Sequence, residues 1–177
     1  MTPRSYKAEA IVIKRINYSE ADRLITAFTK KYGKLKLIAK GIRKPTSRKK
    51  GHLELFTQVK LQIARTKTFH IITEAETINS FPELRKNLNR VRIAYLLAEL
   101  ISQLTVRQQE HPEIYQLLLQ ALTTLNSQQA PKDFILNFEK QLLEYLGFGL
   151  PKTITRQSLE SHIASITDQN LNSKKIK

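Results

Sequence analysis

Residues 34–40, Lys34-Leu35-Lys36-Leu37-Ile38-Ala39-Lys40, alternate with a period of two. Leu35, Leu37 and Ala39 fall on one side, and Lys34, Lys36, Ile38 and Lys40 on the other. That separation is what a pleated strand imposes on successive side chains. The stretch therefore reads as a β-strand with one face in a core and a cationic face turned outward. Gly33 before it supplies a turn.

The same texture extends on both sides. Residues 6–15 carry the strand core Ile11-Val12-Ile13, and residues 23–29 form a second candidate that ends at Lys30-Lys31-Tyr32-Gly33. Residues 53–63 alternate longest, with Leu53, Leu55, Val59, Leu61 and Ile63 inward and Glu54, Gln58, Lys60 and Gln62 outward. Residues 69–77 make a fifth strand. Five short strands before residue 80 suit a small closed or nearly closed barrel. The OB-fold is the commonest such shape, and an SH3-like barrel fits the pattern almost as well.

After Phe81 the apolar spacing becomes helical. Ser80-Phe81-Pro82-Glu83 has the form of a capping box, with Ser80 as cap and Glu83 reaching back. The helix it opens carries Leu84, Leu88, Val91, Tyr95 and Ala98, with Ile93, Leu97, Leu100 and Leu104 on a neighbouring face. Two apolar faces predict burial on two sides. A second helix follows Pro112, with Ile114, Leu117, Leu118, Ala121, Leu122 and Leu125 inward. A third starts at Pro131, carries Ile135, Phe138, Leu142, Tyr145 and Leu146, and stops at Gly147. A fourth runs over 155–168 through Leu159, Ile163 and Ile166, and the polar tail 170–177 is expected to fray. The predicted organisation is thus a nucleic-acid-binding barrel domain over 1–80 and an all-helical domain over 81–177, with the boundary near Ser80–Pro82.

Charge divides the same way. The 177 residues hold 30 Lys and Arg against 15 Asp and Glu, a net +15, of which +12 lies in residues 1–80 and +3 in 81–177. Such an imbalance points to a polyanionic partner: nucleic acid, an anionic membrane surface or an acidic protein segment. The apolar run 93–98 ends at Glu99 and the N-terminal apolar stretch is broken by Glu9, so neither a membrane span nor a secretory leader is expected.

Between the third and fourth strands, residues 41–52 hold Arg43, Lys44, Arg48, Lys49 and Lys50 and no acid. Gly, Pro and Ser there predict a mobile loop. A charge run is often only a solvated surface. Phosphate contact is favoured here because Lys34, Lys36 and Lys40 can share a face with the loop. The candidate DNA-binding set is Lys34, Lys36, Lys40, Arg43, Lys44, Arg48, Lys49 and Lys50, with Arg15 and Arg23 in a second tier. Arg23 has an equal claim to pair with Glu20 or Asp22 and order the first loop. Tyr18, Tyr32 and Phe56 are the candidate exposed rings, each with an equal claim to the core. So few rings imply binding dominated by backbone charge, largely independent of sequence and strongly dependent on salt.

Most catalytic chemistry finds no footing. The chain has no Cys, which excludes disulfides, thiolate zinc sites, iron–sulfur clusters and cysteine nucleophiles. His52, His70, His111 and His162 lack ligand spacing, and Asp22, Asp133 and Asp168 form no pair of the kind a two-metal nuclease needs. There is no Gly-x-x-x-x-Gly-Lys-Ser/Thr phosphate loop. Glu74 and Glu76 read as an outward polar face rather than as a metal or acid–base pair. No enzyme activity and no cofactor are expected.

In order and spacing the segments 9–15, Tyr18-Ser19-Glu20-Ala21-Asp22-Arg23-Leu24, Gly33-Lys34-Leu35, Ala39-Lys40-Gly41-Ile42-Arg43 and Leu53-Glu54-Leu55-Phe56-Thr57 resemble the RecO family of bacterial recombination mediators. The likeness continues through Glu76, Phe81, Leu84-Arg85, Ala94-Tyr95 and Glu99 and fades into Leu146-Gly147-Phe148, covering roughly 6–150. It implies an N-terminal OB-fold followed by a helical domain, in a cytoplasmic, nucleoid-associated protein that does not act on membranes. It implies binding of single- and double-stranded DNA, annealing of complementary strands and association with RecR. It further implies engagement of the acidic C-terminal tail of single-strand binding protein and, indirectly, help in loading RecA in break and gap repair. A tail site would need an apolar slot rimmed by cations, for which Arg85, Arg90, Arg92 and Arg107 are available. Many family members carry a four-cysteine zinc module after the Leu-Gly-aromatic segment. This chain has none, so no zinc is expected. The other readings of the same charge are an RNA- or ribosome-associated barrel, a non-catalytic adaptor gripping an acidic segment and, least favoured, a nuclease.

Overall fold

A computed structural model describes residues 4–167. Five strands lead: β1 (Ser5–Asn17), β2 (Arg23–Thr29), β3 (Gly33–Ala39), β4 (Gln58–Ala64) and β5 (His70–Asn79). They pair in the order β1-β2-β3-β5-β4, and β4 pairs back onto β1, so the sheet closes on itself. All ladders are antiparallel except β3–β5, which runs parallel at Leu37↔His70 and Ile38↔Ile71. β1 serves two neighbours: its first half pairs with β4 and its second half with β2. The register shift between Val12 and Lys14 marks a bulge, which bends the strand from one partner to the other.

The interior is filled by alternate residues. Ala8, Ala10 and Val12 of β1, Ile25 and Ala27 of β2, Leu35, Leu37 and Ala39 of β3, Val59, Leu61 and Ile63 of β4 and Ile72 of β5 are buried together. Alanines opposite larger aliphatics let so narrow a sheet close without voids. Each larger side chain contributes about 1.5–3 kcal/mol by leaving water.

Two strands begin or end elsewhere than the pattern implies. The alternation from Leu53 is not strand from its start: residues 53–57 turn, with Phe56 at φ 64, and the ladder begins only at Gln58. Leu53 still enters the barrel core, so alternation reports its burial correctly but not its hydrogen bonding. β5 continues to Asn79, past the expected end at Thr77.

The helices are α1 (Pro82–Arg85), α2 (Leu88–Leu104), α3 (Pro112–Ser127), α4 (Phe134–Leu146) and α5 (Arg156–Thr167). The first predicted helix is in fact two. Asn87 is extended at φ −120, and its side chain accepts from the Arg90 amide at 3.2 Å, so it ends one helix and caps the next. The capping box does not form. Phe81 precedes α1 at φ 50 with no side-chain cap, and the amides of Glu83 and Leu84 donate instead to Asn126 Oδ1, at 2.9 and 3.2 Å. Glu83 turns to Lys86, at 2.6 Å.

Of the two apolar faces expected of α2, Leu97, Leu100 and Leu104 on one and Ala98 on the other are buried, together with Ala94, Leu96 and Ile101, while Leu88 is 72% exposed and Tyr95 38%. α4 starts at Phe134 rather than Pro131 and ends at Gly147, φ 74, whose amide meets the carbonyls of Leu143 and Glu144. Its buried residues are Phe138, Glu139, Leu142 and Leu143, and Tyr145 is exposed. Asp168 and the tail 170–177 lie outside the described residues.

The chain forms two compact units. The first is residues up to 80 together with 106–115; the second is 81–105 together with 116 onward. The excursion 106–115, sequentially between α2 and the body of α3, thus belongs with the strands. Among the described residues no helix is long and apolar enough to cross a membrane.

Candidate nucleic-acid interface

The outward residues of β1, β2 and β3 line up in register. Lys14 faces Thr26, which faces Lys36. One row along the strands, Ile16 faces Leu24, Leu24 faces Ile38, and Ile38 pairs with Ile71 of β5. A row with two cations, Lys14 and Lys36, on either side of the buried Thr26 therefore lies beside an apolar one. Ile16 is 48% exposed, and Leu24, Ile38 and Ile71 are partly so.

Lys34 does not stand on open surface as the alternation implies. The excursion 106–115 comes alongside β3: Arg107 bridges to Lys34 in parallel fashion, and the Gln108 amide donates to the Lys34 carbonyl at 3.1 Å. Lys34 is left 8% exposed. Burial, reinforced by the nearby Arg107 and Lys36 charges, pushes its ammonium down to about 8. Burial, with Arg107 and Lys14, lowers Lys36 too.

The loop 41–52 is a succession of turns pinned at several points. Ile42 and Leu53 sit in the barrel core. The Gly41 amide donates to Asp22 Oδ1 at 2.8 Å, and the Arg43 amide to the Ala21 carbonyl at 2.9 Å. The Thr77 amide donates to His52 Nδ1 at 3.2 Å. Lys49 is half-buried, with Nζ donating to the Ile72 carbonyl at 3.1 Å, so this lysine holds the loop to β5. Lys40, Arg43, Lys44, Arg48 and Lys50 are exposed, and Arg43 also donates to the Ser19 carbonyl at 3.1 Å.

The second tier is engaged within the protein. Arg15 forms an ion pair with Glu54. Arg23 Nε donates to Asn17 Oδ1 at 3.3 Å, rather than to Glu20 or Asp22, and Asp22 is taken up by Gly41.

Of the three candidate rings, only Tyr18 is well exposed, at 54%. Phe56 is core, and Tyr32 packs edge-on against Tyr6 at 4.9 Å. Tyr18 meets Phe69 at 6.3 Å between centroids, which joins the β1–β2 loop to the β4–β5 loop. The latter also carries Arg65, whose guanidinium lies 4.6 Å over the Tyr6 ring. Phe69, the Ile16–Ile71 row and Arg107 as a neighbour of β3 were not singled out from sequence. The row was discoverable from strand register; the other two depend on long-range placement.

The other three histidines have structural partners. Tyr6 and His70 share a 3.0 Å hydrogen bond, His111 pairs with Glu113 at 3.3 Å and His162 meets the Gly149 carbonyl at 3.2 Å. Glu76 lies opposite Lys60 and Glu74 opposite Gln62. Among the described residues no three His, Asp or Glu side chains gather as a metal site. In the second unit, Arg90 donates to the Asn126 carbonyl at 3.2 Å, while Arg107 belongs to the first unit.

Two family models match in succession: recombination protein O N terminal over residues 1–81 and recombination protein O C terminal over 85–153. The chain is 38% identical over 148 residues to the DNA repair protein RecO of Roseiflexus sp. (strain RS-1), covering 84% of this chain and 52% of that protein. It is 34% identical over 143 residues to the RecO of Desulfitobacterium hafniense (strain DSM 10664 / DCB-2), covering 81% and 52%. Against the RecO of Dehalococcoides mccartyi (strain ATCC BAA-2100 / JCM 16839 / KCTC 5957 / BAV1) it is 33% identical over 146 residues, covering 82% and 58%. The chain thus spans about half the length of the curated relatives it matches. With both family models matched in order across most of its residues, the chain belongs to the RecO family.

Proposed function

We propose that this chain is a non-catalytic DNA-binding mediator of recombinational repair that anneals complementary strands. The first unit is read as an OB-type barrel, a reading supported by the strand order β1-β2-β3-β5-β4 and the parallel β3–β5 pair. Folds of that type bind oligonucleotides on the strand 2–3 face, between the loops that follow strands 1 and 4. Here those loops are the two that Tyr18 and Phe69 bring together.

The observation that carries the reading is the cationic row beside the apolar row on that face, in a member of a family whose relatives bear the name DNA repair protein. Annealing requires two repelling polyanions to approach with their base edges free. Lysines on a sheet surface neutralise phosphates without covering those edges. Lys36, Lys40, Arg43, Lys44, Arg48 and Lys50 would share that work, with Lys34 and Lys49 more deeply set. Binding would extend to single and double strands. The wider partnership proposed is with RecR, with the acidic tail of single-strand binding protein and, through it, with RecA, in the cytoplasm at the nucleoid. No cofactor is invoked, and with no Cys there is no thiolate set for zinc.

The test is annealing of complementary oligonucleotides across salt, with and without single-strand binding protein. Acceleration should fall steeply as salt rises, and log affinity should fall linearly with log salt. Protein that leaves the spontaneous annealing rate unchanged at every salt concentration would remove the reading. Preference for RNA over DNA would favour the ribosome-associated alternative.

A further inference from the structure

We propose that Lys34, Lys36 and Arg107 form a pocket for one backbone phosphate of a single strand whose bases lie along the neighbouring Ile16–Leu24–Ile38–Ile71 row. The proposal rests on the DNA-binding reading above and adds to it a seat, a strand type and a residue from outside the strands.

The pocket is a cavity of about 80 Å³ lined by Lys34, Lys36, Phe69, His70, Arg107 and Gln108, among others. None of its lining residues is a carboxylate. The volume suits a compact polar group, not a base. Cations converge there at a cost: burial and mutual repulsion depress the ammonium groups of Lys34 and Lys36. An anion seated between them offsets both effects. A phosphodiester supplies one negative charge and acceptor oxygens suited to the guanidinium fork of Arg107.

The wall carrying Arg107 is held close to β3 by a glycine. A Cβ at Gly33 would come within 1.8 Å of the Gln109 carbonyl oxygen, and Gly33 has φ +61. Position 33 therefore admits no side chain while residues 106–109 lie where they do. The adjoining apolar row explains the preference for single strands. Its partly exposed isoleucines and Leu24 can take base faces only when the bases are unpaired, and Tyr18, two residues past Ile16, and Phe69, two before Ile71, offer rings beside it.

Substitutions at this pocket separate geometry from charge. Gly33→Ala keeps every cation but displaces Arg107. Arg107→Gln keeps the backbone and removes one charge, and Arg107→Lys restores the charge without the fork. Binding of a short labelled oligothymidylate is followed by fluorescence anisotropy across salt, beside a duplex of equal length. Arg107→Gln should weaken oligothymidylate binding roughly tenfold and lower the salt slope by about 0.7, the value for one single-strand phosphate contact. Arg107→Lys should recover part of the affinity, and the duplex should lose less than the single strand. Gly33→Ala, where its thermal transition is retained, should behave like Arg107→Gln. If the wild type binds and Arg107→Gln leaves affinity and slope unchanged, the pocket is wrong and the DNA-binding reading stands. If the wild type binds neither ligand, both fall.

Discussion

The Tyr115 hydroxyl, in the first turn of α3, donates a 2.9 Å hydrogen bond to Glu9 Oε1 on β1. The Gln58 amide of β4 donates to the same carboxylate oxygen at 3.1 Å and to the phenol oxygen at 3.2 Å. Three polar groups from three elements of the first unit thereby satisfy one another around a fully buried ring. The excursion 106–115, which carries Arg107 to β3, is anchored at its far end by this triad.

Tyr115→Phe keeps the ring and removes the donor, so the apolar packing survives. It should cost about 1.5–3 kcal/mol, the net worth of a hydrogen bond to a charged acceptor. Urea denaturation of the two proteins measures this directly. If the anchor also positions Arg107, the variant should weaken oligonucleotide binding by a smaller factor than Arg107→Gln does.

The same phenol should be the last tyrosine to ionise. Burial chiefly, then the hydrogen bond to Glu9 and its charge, raise it well above the ordinary 10.0, with the Gln58 hydrogen bond opposing. In the unfolded chain the group loses its proton near pH 10, while the folded chain keeps it. The folded state then binds more protons, and stability falls as pH rises past that point. Ultraviolet titration should show one tyrosine ionising only as the protein unfolds, and Tyr115→Phe should abolish that late step.

Lys34 has the opposite sign. Its ammonium is lowered from 10.5 to about 8. Between those values the unfolded chain holds the proton and the folded chain does not, so this group makes stability rise with pH across that window. The charged groups facing it are Arg107 and Lys36, with Lys14 acting on Lys36 and His70 on the opposite wall. Single-strand affinity should therefore weaken as pH rises through about 8, where Lys34 loses its charge. Lys34→Met should flatten that dependence, which anisotropy at a series of pH values reads. A pH profile identical in the variant and the wild type would assign the titration elsewhere.

The strands were more legible than the surface that the strands create. At 34–40 a period of two leaves one arrangement, because a slip of one residue would turn Leu35 and Leu37 to solvent. At 53–57 the same alternation misleads: Leu53 is buried from a turn, which hydropathy cannot tell from a strand. The break at Asn87 had only a weak local signal, with no Gly or Pro at residues 86–87. The Ser80–Glu83 pattern was overridden by Asn126, which lies more than 40 residues away in sequence. Cationic loop residues were easy to find because charge is a local property. Burial of Lys34 beneath residues 106–109 was not, because it depends on a long-range docking that only Gly33 permits.

The basic loop offers a final separation of charge from fold. Arg48 and Lys50 are exposed, whereas Lys49 Nζ donates to the Ile72 carbonyl at 3.1 Å. Reversing Arg48 and Lys50 to Glu should lower DNA affinity and its salt dependence while leaving the thermal midpoint close to that of the wild type. Surface changes away from packed groups usually stay within about 0.5 kcal/mol. Adding Lys49→Glu should lower affinity further but also cost about 1–2 kcal/mol, because a buried carbonyl loses a charged donor. Anisotropy and differential scanning calorimetry on the double and triple variants resolve the two effects. A double variant with unaltered affinity would remove the loop from the binding surface and leave the β3 face to carry it alone.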